Sequence, residues 1–321
     1  MTSLSATAIC IAVSILLSAV THAYAEIIGG RSISITQAPW QLWMGNCGAA
    51  WVGGRNVLIA QHCIDTKTAA NTFVWAGITR VNQATTANRI AVAEIIKMGT
   101  PINFDRDISI LKLAADLPAN TLARPIRFAT AADVTAGYTD KGVECMATGW
   151  GRTVPNSGGF ADSLQMVMSK VANAPADPVG VIRWGGLGGS QQIGACHGDS
   201  GSPLVVKDGA GNWILAGLAS YLSSTCGDPA VPSNYARVSS FTSFFQQNGV
   251  TQPVTSLPDF RFAFRGGPER PQAPALTLVG LNGVIVSRTR PMRLVGAESG
   301  SVLQIGAEGP EARHLRPARS R

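Results

Sequence analysis

The stretch Ala195-Cys196-His197-Gly198-Asp199-Ser200-Gly201-Ser202-Pro203 decides the reading of the chain. A serine flanked by glycines on a tight turn can hold its hydroxyl in the open, and the Gly198 and Ser200 amides can converge on one point. A serine hydroxyl is a poor nucleophile alone; it needs a base within hydrogen-bond reach and a third group that orients the base. Of the four histidines, His22 lies in an apolar leader, His314 in an Arg-rich tail and His197 three residues before the serine, which leaves His62. His62 follows Val57-Leu58-Ile59-Ala60-Gln61 and precedes Cys63, a β-rich run that reads as a buried strand delivering an imidazole at its end. Asp107 opens a second such run, Asp107-Ile108-Ser109-Ile110-Leu111-Lys112-Leu113, where a half-buried carboxylate could bond to the imidazole. Asp105, two residues earlier, competes for that role.

Short apolar runs separated by Gly, Asn and Thr turns fill the chain from Ile27 to about Thr130, and the pattern repeats from about Ala131 to Val238. Neither half has sustained helical periodicity, so antiparallel β structure is expected in both. Ser239-Ser240-Phe241-Thr242-Ser243-Phe244-Phe245-Gln246-Gln247 reads as a short amphipathic helix with serine caps. Beyond Val250 the composition shifts to a Pro/Arg-rich extension, 251–321, expected to be poorly structured. Leu276 to Val286, with Asn282-Gly283 at its centre, is the one stretch there that reads as a hairpin.

Charge separates the two parts. The whole chain carries a net charge of +7, of which the extension, with ten Arg and five acids, holds +5. The charge therefore belongs to the extension and gives no ground for a nucleic-acid partner in the rest. Met1 to Ala25 has an apolar core from Ile9 to Val20 and ends in Ala23-Tyr24-Ala25, the pattern of a cleaved secretory signal peptide. About 20 apolar residues are needed to span a bilayer, so a membrane anchor fits this leader less well, and no later segment is long and apolar enough. An extracellular or periplasmic protein is expected.

The order of these motifs resembles that of the trypsin-like (chymotrypsin-fold) serine proteases. The family's fingerprints stand here as Ile27-Ile28-Gly29-Gly30, Ala60-Gln61-His62-Cys63, Asp107-Ile108-Ser109-Ile110-Leu111, Gly149-Trp150-Gly151 and Gly198-Asp199-Ser200-Gly201-Ser202-Pro203, together covering about Ile27 to Val250. The resemblance implies an all-β peptidase domain over 27–250: two antiparallel six-stranded β-barrels, about 27–130 and 131–238, a short C-terminal helix and a cleft between the barrels. It implies His62 as base, Asp107 rather than Asp105 as its orienting acid, Ser200 as nucleophile, the Gly198 and Ser200 amides as oxyanion hole, and Ser220 as a hydrogen-bonding support for Asp107. It places His197 on the substrate rim.

The resemblance also implies that a freed Ile27 ammonium inserts beside Asp199. Removing residues 1–25 would leave Glu26 in front of Ile27, and because Glu26 is unlike the Lys or Arg of self-activating trypsins, a separate activating peptidase is expected. Of the six cysteines, Cys10 leaves with the leader, and family positions pair Cys47 with Cys63 and Cys196 with Cys226. Cys145 remains a free, buried thiol because its usual partner's position is Val206.

The substrate-binding set carried over is Gly194, Ala195, His197, Ser220, Tyr221, Leu222 and Ser233. Trypsins place an aspartate six residues before the serine, where Gly194 stands here, so a charged P1 side chain would lack a partner. Leu222 replaces a common glycine and narrows the pocket. A neutral, shallow pocket favours small apolar P1 residues, as in elastases; with Leu222 swung aside, a chymotrypsin-like aromatic preference follows. No metal or other cofactor is expected: between Thr66 and Arg89, where some members hold calcium, there is no Asp or Glu. Gln61 beside the base and Ser202 in the serine loop depart from the family's small residues. The expected activity is that of a monomeric secreted serine endopeptidase acting on protein or peptide substrates. The competing readings are an α/β-hydrolase, whose chain order of serine, acid, histidine leaves only His314, and a catalytically silent binding module using the cleft and the basic tail.

Overall fold

The computed structural model describes residues 27–99, 103–155, 157–188, 190, 192–222 and 225–253, and the strand backbones at 277–279 and 285–287. The leader, Glu26 and most of the extension lie outside the described residues, and with them the expected signal cleavage. Chain tracing runs β1 (Arg31–Ser32), β2 (Gln41–Trp43), β3 (Gly48–Gly53), β4 (Asn56–Ile59), β5 (Phe73–Ala76), β6 (Ile90–Lys97), β7 (Ser109–Leu113), α1 (Ala131–Thr135), β8 (Glu144–Gly149), β9 (Arg152–Val154), β10 (Ser157–Phe160), β11 (Gln165–Lys170), β12 (Val181–Trp184), β13 (Pro203–Lys207), β14 (Trp213–Tyr221), β15 (Ser233–Arg237), α2 (Thr242–Gln247), β16 (Thr277–Val279) and β17 (Ile285–Ser287).

The first half closes into a barrel in the order β2-β3-β4-β7-β6-β5. Its strands are short and apolar on the inside, and closure leaves no open edge. Leu42, Ala49, Val57, Ile59, Leu111 and Leu113 fill the interior, all nearly inaccessible. In the β4–β7 ladder Leu58 faces Ile110 and Ile59 faces Ser109, which brings the segment after β4 beside the segment before β7. Those two segments carry His62 and Asp107.

The second half departs from the expected six-stranded barrel. It is a seven-stranded sheet in the order β1-β11-β8-β13-β14-β15-β12. β12 is four residues long and pairs along its length with β15, so it meets the β11 side only at its end. There a single bridge joins Val171 to Trp184, flanked by Ala172 N–H donating to Arg183 O (2.8 Å) and Gly185 N–H to Lys170 O (3.1 Å). Ala147, Val167, Ile182, Trp184, Leu204, Ile214 and Tyr235 pack inside this sheet. Between the halves lies a third cluster, including Trp40, Val52, Leu58, Ile110, Met146, Trp150, Leu215 and Phe245, whose burial glues one half to the other.

The C-terminal helix is shorter than expected. Residues 238–241 form a 3-10 turn and α2 spans six residues, with no side chain capping its start. Ser240, expected as a cap, instead donates its hydroxyl to Val179 O at 2.7 Å, anchoring the turn to the loop before β12. Phe245 is fully buried and meets Phe128 edge-on with ring centroids 5.3 Å apart. In the extension, Thr277 faces Ser287, Leu278 faces Val286 and Val279 faces Ile285, the antiparallel pairing expected around Asn282-Gly283. Among the described residues no helix is long and apolar enough to cross a membrane.

Candidate active site

His62 stands in a 3-10 turn, Gln61–Cys63, that ends the apolar run of β4, rather than on the strand itself. The turn is fixed from two sides. Cys63 is bridged to Cys47, a covalent tie that limits how far the turn can open. Gln61, 1% exposed, exchanges hydrogen bonds with Gly99: its amide donates to the Gly99 carbonyl and its carbonyl accepts from Gly99 N–H at 3.3 Å. The large residue beside His62 thus ties the loop after β6 to the base.

Asp107 is fully buried, where a half-buried carboxylate was expected. Its charge is met by three donors: His62 N–H to Oδ1 at 2.9 Å, His62 Nδ1 to Oδ2 at 2.7 Å, and Ser220 Oγ to Oδ2 at 2.5 Å. Burying a carboxylate is costly unless it is hydrogen-bonded, and here the donors come from both halves. Asp105 is exposed on the turn Phe104–Arg106 and takes no part. With Nδ1 turned to Asp107, the imidazole leaves Nε2 for proton exchange; it lies 3.7 Å from the Cys63 sulfur.

Ser200 and His62 line one cleft of about 300 Å³ with Phe104, Ala195, His197, Tyr221 and Leu222 among its walls. No hydrogen bond joins the Ser200 hydroxyl to His62 among the described residues, the loose arrangement common before substrate binds. Ser200 is held through its carbonyl, which accepts from Gly48 N–H of β3 at 2.8 Å. Gly198 has φ +94°, a backbone conformation that favours glycine. His197 is exposed on the rim.

Asp199 is also fully buried. Burial, offset in part by the Cys196 and Gly151 amides at 2.9 and 2.8 Å, pushes its carboxyl up to about 7. Its side chain fills the space that a Cβ would need on Gly149 and Gly151, with carboxyl atoms 2.2 and 2.4 Å from those positions, which is why glycines flank Trp150. Ile27 and Ile28 are 1% and 3% exposed, and Ile28 O accepts from Gly194 N–H at 3.1 Å. The Ile27–Ile28 segment therefore packs against the same half of the molecule as the serine loop.

The carried-over pocket residues divide. Ala195, His197, Ser220, Tyr221 and Leu222 line the cleft, whereas Gly194 and Ser233 do not. Ser233 instead uses its hydroxyl to accept from Ala195 N–H at 3.1 Å, and a Cβ on Gly194 would lie 3.0 Å from Gly227. Leu222 packs on Ile28 and the Cys196–Cys226 disulfide. Two lining residues carried no sequence signal. Phe104 packs against Tyr221 with ring centroids 5.2 Å apart and planes tilted by 47°, and Asn234 accepts from Arg183 Nε at 2.9 Å while donating to Tyr221 O at 3.3 Å. The sulfur and nitrogen atoms of Cys47, His62 and Cys63 cluster closely, but both sulfurs are spent in the disulfide and offer no thiolate to a metal.

The trypsin family model matches residues 27–245. Among similar proteins, transmembrane protease serine 9 of Rattus norvegicus is 30% identical over 244 residues, covering 70% of this chain but 22% of that protein. Serine protease SP24D of Anopheles gambiae is 32% identical over 234 residues, 69% of this chain and 80% of that one. Fibrinolytic enzyme, isozyme C, of Lumbricus rubellus is 30% identical over 251 residues, 69% and 99% respectively. The buried acid, the imidazole it orients and the serine across the cleft thus stand within a match that spans both halves, and the chain belongs to the trypsin family as a serine-type endopeptidase.

Proposed function

We propose that Ser200 attacks the substrate carbonyl while His62 Nε2 accepts its proton, and that Asp107 holds the resulting imidazolium through Nδ1–H. The oxyanion rests on the Gly198 and Ser200 amides, each donor contributing about 10² to 10³ in rate. His62 then passes its proton to the leaving amine, and a water molecule, deprotonated by the same ring, releases the acyl group from Ser200. The observation that carries this reading is the 2.7 Å contact between His62 Nδ1 and a carboxylate with no solvent exposure, in the cleft that Ser200 lines.

The substrate is a protein or peptide with a small, neutral, apolar P1 residue. This reading is supported by Gly194, which supplies no charge where trypsins place an aspartate, and by Leu222, which packs on the Cys196–Cys226 disulfide and lines the cleft. The product of synthesis is a secreted precursor, in keeping with the leader and with two disulfides, which persist in oxidising compartments. A peptidase that cuts after Glu26 frees the Ile27 ammonium to pair with Asp199, a buried carboxyl that burial pushes up to about 7.

A fluorophosphonate probe tests the reading. Processed enzyme labels at Ser200, and Ser200→Ala and His62→Ala do not label at a measurable rate. A processed wild-type chain that resists the probe is a silent scaffold, and the proposal fails.

A further inference from the structure

Ser202 stands two residues beyond the nucleophile, has no solvent exposure, and its hydroxyl accepts a hydrogen bond from Gln41 Nε2 at 3.2 Å. Gln41 belongs to β2 of the first half, and it too is completely buried. Its other end is also engaged across the interface: Gln41 Oε1 accepts from Thr148 Oγ1 at 2.7 Å, and Thr148, 1% exposed, lies on β8 of the second half. One side chain from the half that carries His62 and Asp107 therefore grips two side chains of the half that carries Ser200, donating to one and accepting from the other.

The fit leaves no spare room. A Cβ on Gly48 would lie 2.0 Å from Ser202 Oγ and 2.6 Å from Gln41 Nε2, so the pair packs against bare backbone. Ser202 is locked into its loop as well, with its N–H donating to Asp199 O at 2.9 Å and its carbonyl accepting from Ala219 N–H at 2.8 Å.

Three polar side chains in a dry interface are costly unless each finds a partner, and apolar residues of similar shape would bury as well. What apolar contact cannot supply is direction. The hydrophobic cluster between the halves favours contact but tolerates small slips, whereas a two-ended hydrogen-bonded clasp selects one register. Slips of about 1 Å between reacting groups can cost about 10² in rate.

We propose that Gln41, Ser202 and Thr148 form a clasp that sets the position of the nucleophile loop against the base, with Ser202 as a positioning residue that touches neither substrate nor the reacting atoms. The inference rests on the catalytic roles given above for His62 and Ser200.

The test is a double-mutant cycle on processed enzyme, assayed well below the melting temperature of each variant. Ser202→Ala and Gln41→Leu each lower kcat and the fluorophosphonate inactivation rate about tenfold, with KM unchanged within twofold. The double variant falls no further than the worse single, because either change opens the same clasp. Should Ser202→Ala not fold, Thr148→Val replaces it in the cycle with the same expectations. Single variants that keep kcat within twofold of wild type overturn the clasp, as do losses that multiply in the double variant. A wild-type enzyme that never labels sinks the catalytic reading instead, so the two failures are told apart.

Discussion

Ser220 and Asp107 meet across the interface between the halves: the Ser220 hydroxyl, at the end of β14, donates to Asp107 Oδ2 at 2.5 Å. The same oxygen accepts from His62 Nδ1 at 2.7 Å. Orientation of the base thus depends on a residue from the half that carries the nucleophile. Ser220→Ala removes one of three donors to a buried charge, and a charge-assisted bond of this kind is worth about 1.5 to 3 kcal/mol. The expected result is a kcat lowered about tenfold or more with little change in KM, read by steady-state hydrolysis of a peptide with alanine at P1. A kcat within twofold of wild type would show that the two His62 bonds suffice.

Asp199 makes the uncut chain pH-sensitive. Its carboxyl is raised by burial from 3.8 to about 7, so the folded precursor keeps a proton that the unfolded chain has lost. Stability of the uncut form is therefore full below about pH 4, declines as pH rises toward 7 and levels off above it, by an amount on the order of 4 kcal/mol. Urea unfolding of the Ser200→Ala precursor between pH 4 and 8 measures this slope, and Asp199→Asn flattens it. The same rise in pH stabilises nothing at Tyr235, whose phenol burial first, and the nearby Asp199 second, hold well above its ordinary range. A precursor whose stability is level across this window argues that Asp199 already has a cationic partner before cleavage.

Leu222 lines the cleft beside Tyr221. Leu222→Gly deletes four carbons braced on the Cys196–Cys226 disulfide and admits a larger side chain. The ratio of kcat/KM for phenylalanine over alanine at P1 should rise about tenfold, within the range that a few methylene groups can command. Preference for Arg or Lys at P1 in either enzyme would contradict the neutral pocket.

Cys145 faces Val206 in the β8–β13 ladder and is the buried free cysteine of the described residues. Burial, with a smaller contribution from Glu144, pushes its thiol up to about 12. It should resist iodoacetamide in the folded enzyme and react on unfolding. Cα atoms of facing antiparallel residues lie about 4.5 to 5.5 Å apart, within disulfide range. Val206→Cys should therefore close a third bridge and raise the melting temperature under oxidising but not reducing conditions. The chain-entropy limit for a loop of about 60 residues is roughly 4 kcal/mol.

Much was readable along the chain because the chemistry is local. The serine loop needs glycine at Gly198 to turn, and Gly149 and Gly151 are glycines because the Asp199 carboxyl occupies the space a side chain would take. Such requirements leave signatures within a few residues of one another. Alternating short apolar runs likewise announce β structure whatever the final topology. The full burial of Asp107, the entry of Phe104 and Asn234 into the walls of the cleft, and the grip of Gln41 on Ser202 and Thr148 were decided in three dimensions. Each depends on which residues distant in sequence arrive together when two β halves pack, and hydrogen-bond partners separated by 107 and 161 positions, as Gln41 has, leave no local pattern to read.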